Sequence, residues 1–149
     1  MPRTQLRLWH LVTILAITAL IAAGLAHDPQ SRLALFLQLW LIHALIALFL
    51  AAPIVCFGRH RADWQFWELF ALVVPFSLWA GLMLSDFSVG KSLANLGECI
   101  YLSMAVPVAA LLRLGLGATS HRRAYSAFLI ALLCVTAVGV FFLTPPLPE

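Results

Sequence analysis

Apolar residues run through this chain in five long blocks that short polar segments separate. A transmembrane helix needs about 20 mostly apolar residues to cross the hydrocarbon core of a bilayer. Each block approaches that length, because the blocks cover residues 6–26, 33–56, 66–84, 96–114 and 125–143. The pattern predicts an all-α integral membrane protein with a bundle of about five transmembrane helices.

Composition supports the same fold class. Of the 149 residues, 63% are hydrophobic and 10% are charged, and the mean hydropathy is +1.00. The segments between the blocks are too short for a separate water-soluble domain, so residues 1–149 are predicted to form a single polytopic membrane domain. The first block also resembles a signal peptide, because Gly24, Leu25 and Ala26 offer a small-residue cleavage site. We interpret it as a retained helix, since the remaining blocks already define a multi-pass protein.

The basic residues predict how the helices are oriented. Five spans place the termini on opposite faces of the membrane, and short cytoplasmic loops are enriched in Lys and Arg. Arg32 and Lys91 fall on one face, whereas seven basic residues fall on the other: Arg3, Arg7, Arg59, Arg61, Arg113, Arg122 and Arg123. We therefore expect a cytoplasmic N-terminus and a periplasmic or exterior C-terminus in a bacterial-type inner (plasma) membrane. The net charge of +3 then reflects topology, and no nucleic acid is expected as a partner.

The fourth block has too few apolar residues to cross the bilayer alone. Its uninterrupted apolar part, residues 99–112, has 14 residues, so a polar side chain has to enter the membrane, either Glu98 or Arg113. On a continuous helix Lys91, Asn95 and Glu98 follow an i, i+4, i+7 pattern and share one face. That face either packs against a neighbouring helix or forms a site for a solute or a proton.

His43 is the most deeply placed ionisable residue, about ten residues into the second block. An ionisable residue inside a membrane is by default a functional-site hypothesis. The alternatives are a neutral imidazole bonded to another helix and a proton or ligand site. A haem held by two histidines is disfavoured, because His10 lies roughly 10 Å away in depth at 1.5 Å per residue. No cofactor is predicted.

Motifs for catalysis and metal binding are missing from the sequence. The three cysteines are far apart, without the spacing of a metal site or a disulfide framework. Gly90, Lys91 and Ser92 resemble the end of a phosphate-binding loop, but Ser85 stands where that loop requires glycine. An enzyme is therefore disfavoured. The candidate site is an intramembrane polar site made of Glu98, Asn95, His43 and Lys91.

The small size, the lack of a soluble domain and the sparse chemistry favour a non-catalytic accessory, assembly or scaffold subunit of a larger membrane system. The alternative is a small oligomeric transporter or channel for ions or small solutes that uses the Asn95/Glu98 polar face. A third hypothesis, an intramembrane enzyme or cofactor carrier, would centre on His43. The expected partners are the lipid bilayer and either other membrane-protein subunits or further copies of this chain.

Overall fold

The computed structural model describes residues 8–25, 32–58, 64–85, 91, 93–116 and 122–147. Two short 3-10 helices, Phe66–Leu69 and Leu93–Gly97, precede the third and fourth α-helices. Within the described ranges the α-helices are α1 (Leu8–Leu25), α2 (Arg32–Gly58), α3 (Phe70–Met83), α4 (Glu98–Gly115) and α5 (Arg122–Leu143). The prediction of an all-helical bundle is confirmed for these residues.

Four helical segments of the described chain are long and apolar enough to cross a membrane, which agrees with a helical membrane protein. Their ends lie within two residues of the last four predicted spans, and the segments are Arg32–Gly58, Phe66–Met83, Asn95–Gly115 and Arg123–Leu143. The first predicted span, residues 6–26, coincides with α1. Its described apolar stretch, Trp9–Leu20, is shorter than the other four. The sidedness of the bundle and the crossing by α1 remain predictions.

The helices do not pack in the order of the chain. α2 packs most extensively against α4, and α3 packs most extensively against α5. The sequence neighbours α2 and α3 share a much smaller contact, and so do α3 and α4. α1 lies mainly against α2, whereas α4 also contacts α5. The bundle is therefore interleaved, with each of the two main contacts joining helices that another helix separates in sequence.

Large aromatic residues and alanines share the core of the bundle. Small side chains allow membrane helices to approach closely, and the rings fill the remaining space. The buried core residues include Trp40, Ala44, Ala47, Phe76, Trp79, Ala80, Leu102, Ala137 and Phe141. Pro53, Pro75 and Pro107 lie inside α2, α3 and α4, respectively. Neighbouring helices can satisfy the backbone groups that a proline frees in a membrane helix.

A hydrogen bond between side chains ties α1 to this core. The Trp40 indole N–H donates to the Thr18 hydroxyl across 3.1 Å. Thr18 in turn donates to the Ile14 carbonyl of its own helix at 2.8 Å. Both polar groups are thereby satisfied inside the bundle, and the contact fixes α1 against α2.

Candidate functional site

Three of the four residues predicted for the polar site meet at the start of α4. The Glu98 Oε1 atom accepts hydrogen bonds from the Lys91 ammonium at 2.5 Å and from the Asn95 amide at 3.0 Å. Asn95 and Glu98 are buried, with exposed fractions of 0% and 2%. We call Lys91, Asn95 and Glu98 the Glu98 cluster.

Lys91, Asn95 and Glu98 do not lie on the single continuous α-helix that the i, i+4, i+7 pattern assumes. Asn95 lies in the 3-10 helix Leu93–Gly97, and α4 begins at Glu98. Lys91 lies outside both helices. The 3-10 turn is tighter than an α-helical turn, and the long Lys91 side chain reaches the carboxylate from the preceding segment.

Side chains from α3 and α5 also contact the charged groups of Glu98 and Lys91. The other carboxylate oxygen of Glu98 accepts from the Trp79 indole N–H at 3.0 Å. The Lys91 ammonium lies 4.8 Å from the centroid of the Phe141 ring, within the range of a cation–π interaction. The Glu98 cluster therefore connects α3, α4 and α5.

The segment that follows α5, residues 144–147, closes over the Glu98 cluster. The Thr144 carbonyl accepts from Lys91 at 3.0 Å, and the Pro145 carbonyl accepts from the Asn95 amide at 2.9 Å. The Leu147 backbone N–H donates to Asn95 Oδ1 at 3.0 Å. Both ends of the Asn95 amide and both oxygens of Glu98 are thus engaged within the chain.

His43 lies in a different cluster from the other three predicted residues. Its Nδ1 atom is 2.9 Å from the Ser103 hydroxyl, its Nε2 atom is 3.2 Å from the Leu72 carbonyl, and its exposed fraction is 0%. The ring stacks on Phe76 with 4.9 Å between centroids. The depth of a residue along one span does not specify which neighbouring helix it faces, so the four-residue site divides into two.

Hydrogen positions around His43 follow from its partners. A backbone carbonyl only accepts, so Nε2 carries a hydrogen and Nδ1 of a neutral ring accepts. The Ser103 hydroxyl also lies 2.6 Å from the Cys99 carbonyl, so its single hydrogen faces two acceptors. Protonation of Nδ1 would satisfy every group without moving a heavy atom. The hydrogen-bond partners of His43 are nevertheless uncharged, and an unpaired charge inside a membrane protein is costly.

We expect His43→Leu to lower the free energy of unfolding by about 1–3 kcal/mol, because the Leu72 carbonyl loses its donor inside the bundle. The measurement is thermal unfolding in a mild detergent. Ser103→Ala is the matched control, since it removes the contact at Nδ1 and the hydroxyl beside the Cys99 carbonyl but keeps the Nε2 donor to Leu72, and it should cost less. An unfolding temperature of His43→Leu equal to that of the wild type would show that the histidine is only a spacer.

A second buried ion pair, outside the predicted polar site, lies at the opposite end of α4. The Arg113 Nε atom donates to Glu68 Oε1 at 2.8 Å and to the Ser126 hydroxyl at 2.9 Å. Ser126 donates to the same carboxylate oxygen at 2.6 Å, and Glu68 Oε2 accepts from the Gln65 backbone N–H at 2.7 Å. Arg113 is 3% exposed. Both ends of α4 therefore carry a charge that the protein encloses.

The signal for the Glu68–Arg113 ion pair is present in the sequence. The start of the third predicted span and the end of the fourth are predicted to lie on the same face of the membrane. The two residues have opposite charges and both lie at that boundary. Ser126 carries no comparable signal, because its contribution depends on which helix packs beside α4.

The described residues contain no group of three or more His, Cys, Asp or Glu side chains that could hold a metal ion. Comparisons with known proteins give no match: no protein-family model, no curated protein and no solved structure matches the chain. The function must accordingly be inferred from the geometry of the two charged clusters, the His43 contacts and the exposed surface.

Proposed function

We propose that this protein is a non-catalytic accessory, assembly or scaffold subunit of a larger membrane system. The observation that carries the proposal is the closure of the Glu98 cluster, whose carboxylate and amide are enclosed and bonded within the chain. A transport site must bind a solute and release it again. A solute that passed along the Asn95/Glu98 face would have to replace the three hydrogen bonds of Glu98 in each transport cycle. The arrangement therefore favours a structural role for the cluster.

An exposed amide on α2 supports contact with another membrane protein. Gln38, Ile42, Leu45 and Phe49 are exposed and follow the i, i+4, i+7, i+11 spacing of one helix face. Gln38 makes no hydrogen bond with the described residues. At 1.5 Å per residue the 27 residues of α2 span about 40 Å, which places Gln38 roughly 4 Å inside a centred 30 Å hydrocarbon core. A partner helix that bonds this amide would remove the cost of exposing it to lipid.

The hydroxyls of Thr13 and Thr136, by contrast, are satisfied by their own helices. The Thr13 hydroxyl donates to the Trp9 carbonyl at 2.8 Å, and the Thr136 hydroxyl donates to the Leu132 carbonyl at 2.9 Å. A hydroxyl needs only one such bond, whereas a glutamine amide has two donor hydrogens and an acceptor oxygen. The Gln38 amide, with three groups to satisfy, is the residue from which we infer a partner surface.

The test is native mass spectrometry of the tagged protein, expressed at its natural level and extracted in a mild detergent. We expect a foreign subunit at fixed stoichiometry. Gln38→Leu should weaken its retention about threefold to tenfold, the equivalent of one hydrogen bond. Thr13→Val, which removes an exposed but already satisfied hydroxyl, should leave retention unchanged. A homo-oligomer alone, together with solute flux in liposomes that Glu98→Gln abolishes, would replace the scaffold proposal with the transporter.

A further inference from the structure

A cavity of about 340 Å³ lies beside the Glu68–Arg113 ion pair, and residues from all five helices line it. Most of the lining is aliphatic and comes from the second half of α2, the later turns of α4 and the first turns of α5. The volume falls within the range of small-molecule pockets, which combine apolar walls with a few polar groups that orient the ligand. The polar groups here are concentrated at one end, at Trp64, Glu68, Arg113 and Ser126.

Two hydrogen-bond donors at this polar end have no partner among the residues that the structure describes. They are the Arg113 Nη1 atom and the Trp64 indole nitrogen, and both are buried. The Arg113 guanidinium carbon lies 5.9 Å from the centroid of the Trp64 ring, so the donors belong to adjacent side chains. A buried donor without an acceptor is destabilising, and more so when it is charged. Native proteins rarely leave such groups unpaired.

The side-chain acceptors beside these donors are already engaged. Glu68 Oε1 accepts from Arg113 and from Ser126, while Glu68 Oε2 accepts from the Gln65 backbone. The Ser126 oxygen accepts from Arg113. A ligand that completes this end of the cavity therefore has to supply acceptor oxygens and needs no donor.

The charge of the cavity selects an uncharged ligand. The guanidinium of Arg113 and the carboxylate of Glu68 cancel each other, and no further charged side chain lines the cavity among the described residues. An anionic headgroup that reached Nη1 would lie close to the Glu68 carboxylate and be repelled by it. A carbonyl oxygen can accept from either donor without that repulsion.

We propose that this cavity binds an uncharged amphiphile that directs carbonyl oxygens at Trp64 and Arg113 and packs its apolar body against α2, α4 and α5. Lipophilic quinones and acylglycerol esters share this chemistry. The site lies apart from the Glu98 cluster and from Gln38, so ligand binding extends the accessory role and does not depend on it.

The test is a native mass spectrometry titration of the delipidated full chain with three probes that carry ten-carbon chains: decylbenzoquinone, monodecanoylglycerol and decanoate. We expect saturable binding of one molecule per chain for a carbonyl probe, and decanoate at least about tenfold weaker. The preference between quinone and ester identifies the natural source of the carbonyl. Absence of saturable binding by both uncharged probes, or tighter binding of decanoate, would overturn the proposal.

Two variants of the folded protein locate the bound probe. Trp64→Phe keeps an aromatic ring but removes the indole N–H, and should weaken binding about threefold to tenfold. Ala109→Leu adds volume to a lining position and should abolish binding. Ala131→Leu adds the same volume to an exposed position on α5 and should leave affinity unchanged. Wild-type affinity in both Trp64→Phe and Ala109→Leu, with wild-type unfolding temperatures, would exclude this cavity.

Discussion

Glu98→Gln is expected to lower the free energy of unfolding by about 3 kcal/mol, since it leaves a buried ammonium without its counter-charge. The Lys91 side chain is only 7% exposed, so water cannot replace the carboxylate. The backbone carbonyl of Thr144 and the Phe141 ring remain near the ammonium. Neither carries a full negative charge. The substitution preserves the shape of the side chain but replaces one acceptor oxygen with an NH2 group, so the effect reports on the lost charge and the lost acceptor and not on packing.

A double-mutant cycle in mild detergent measures the interaction between the two charges. Lys91→Met combined with Glu98→Gln removes both, and should be less destabilising than the sum of the single changes. Arg123→Gln, at an exposed position, should change the free energy of unfolding by less than about 0.5 kcal/mol. Additive effects at Lys91 and Glu98 would show that the ion pair contributes nothing to stability.

Arg113→Met is expected to cost about 3 kcal/mol as well, because it leaves the Glu68 carboxylate buried without a cation. The Glu68 side chain is 9% exposed. Its remaining donors, Ser126 and the Gln65 backbone, are neutral. A hydrogen bond to a charged partner is stronger than one between neutral groups, so these two donors do not replace the guanidinium.

The matched experiment adds Glu68→Gln to Arg113→Met and compares the unfolding temperatures of the single and double variants. The double variant should recover part of the loss, because no unpaired charge remains. Arg113→Lys should be destabilising too, since an ammonium cannot reproduce the planar fork of the guanidinium. A single variant Arg113→Met as stable as the double variant would show that Glu68 tolerates the loss of its cation.

The sequence predicts the helices well because the thickness of the bilayer constrains their length. The span predicted at residues 33–56 becomes Arg32–Gly58, and that at 96–114 becomes Asn95–Gly115. The sequence presents Glu98 and Arg113 as alternatives for the polar side chain that enters the membrane. The protein encloses both, one at each end of α4, and gives each an oppositely charged partner.

The composition of the polar clusters is predictable only where it is local in sequence. Lys91, Asn95 and Glu98 lie within eight residues of one another, so any helical turn brings them close together. Trp79 and the segment 144–147 depend on which helices pack together, and periodic hydrophobicity does not encode that choice in lipid-facing spans. For the same reason His43 could be placed at its depth in the membrane but not assigned to its partners on α3 and α4.

The interleaved packing has a consequence for the order of biogenesis. A chain inserted from its N-terminus presents α2 and α3 to the membrane before α4 and α5, the helices on which each of them packs most extensively. Lys91 and Glu98 can pair as soon as α4 emerges. The hydrogen bonds of Asn95 with Pro145 and Leu147 can form only after α5 and the segment that follows it have been synthesised. Until α5 has left the ribosome, the faces of nascent α2 and α3 that later pack on α4 and α5 are therefore expected to be covered temporarily by lipid or by an insertion factor.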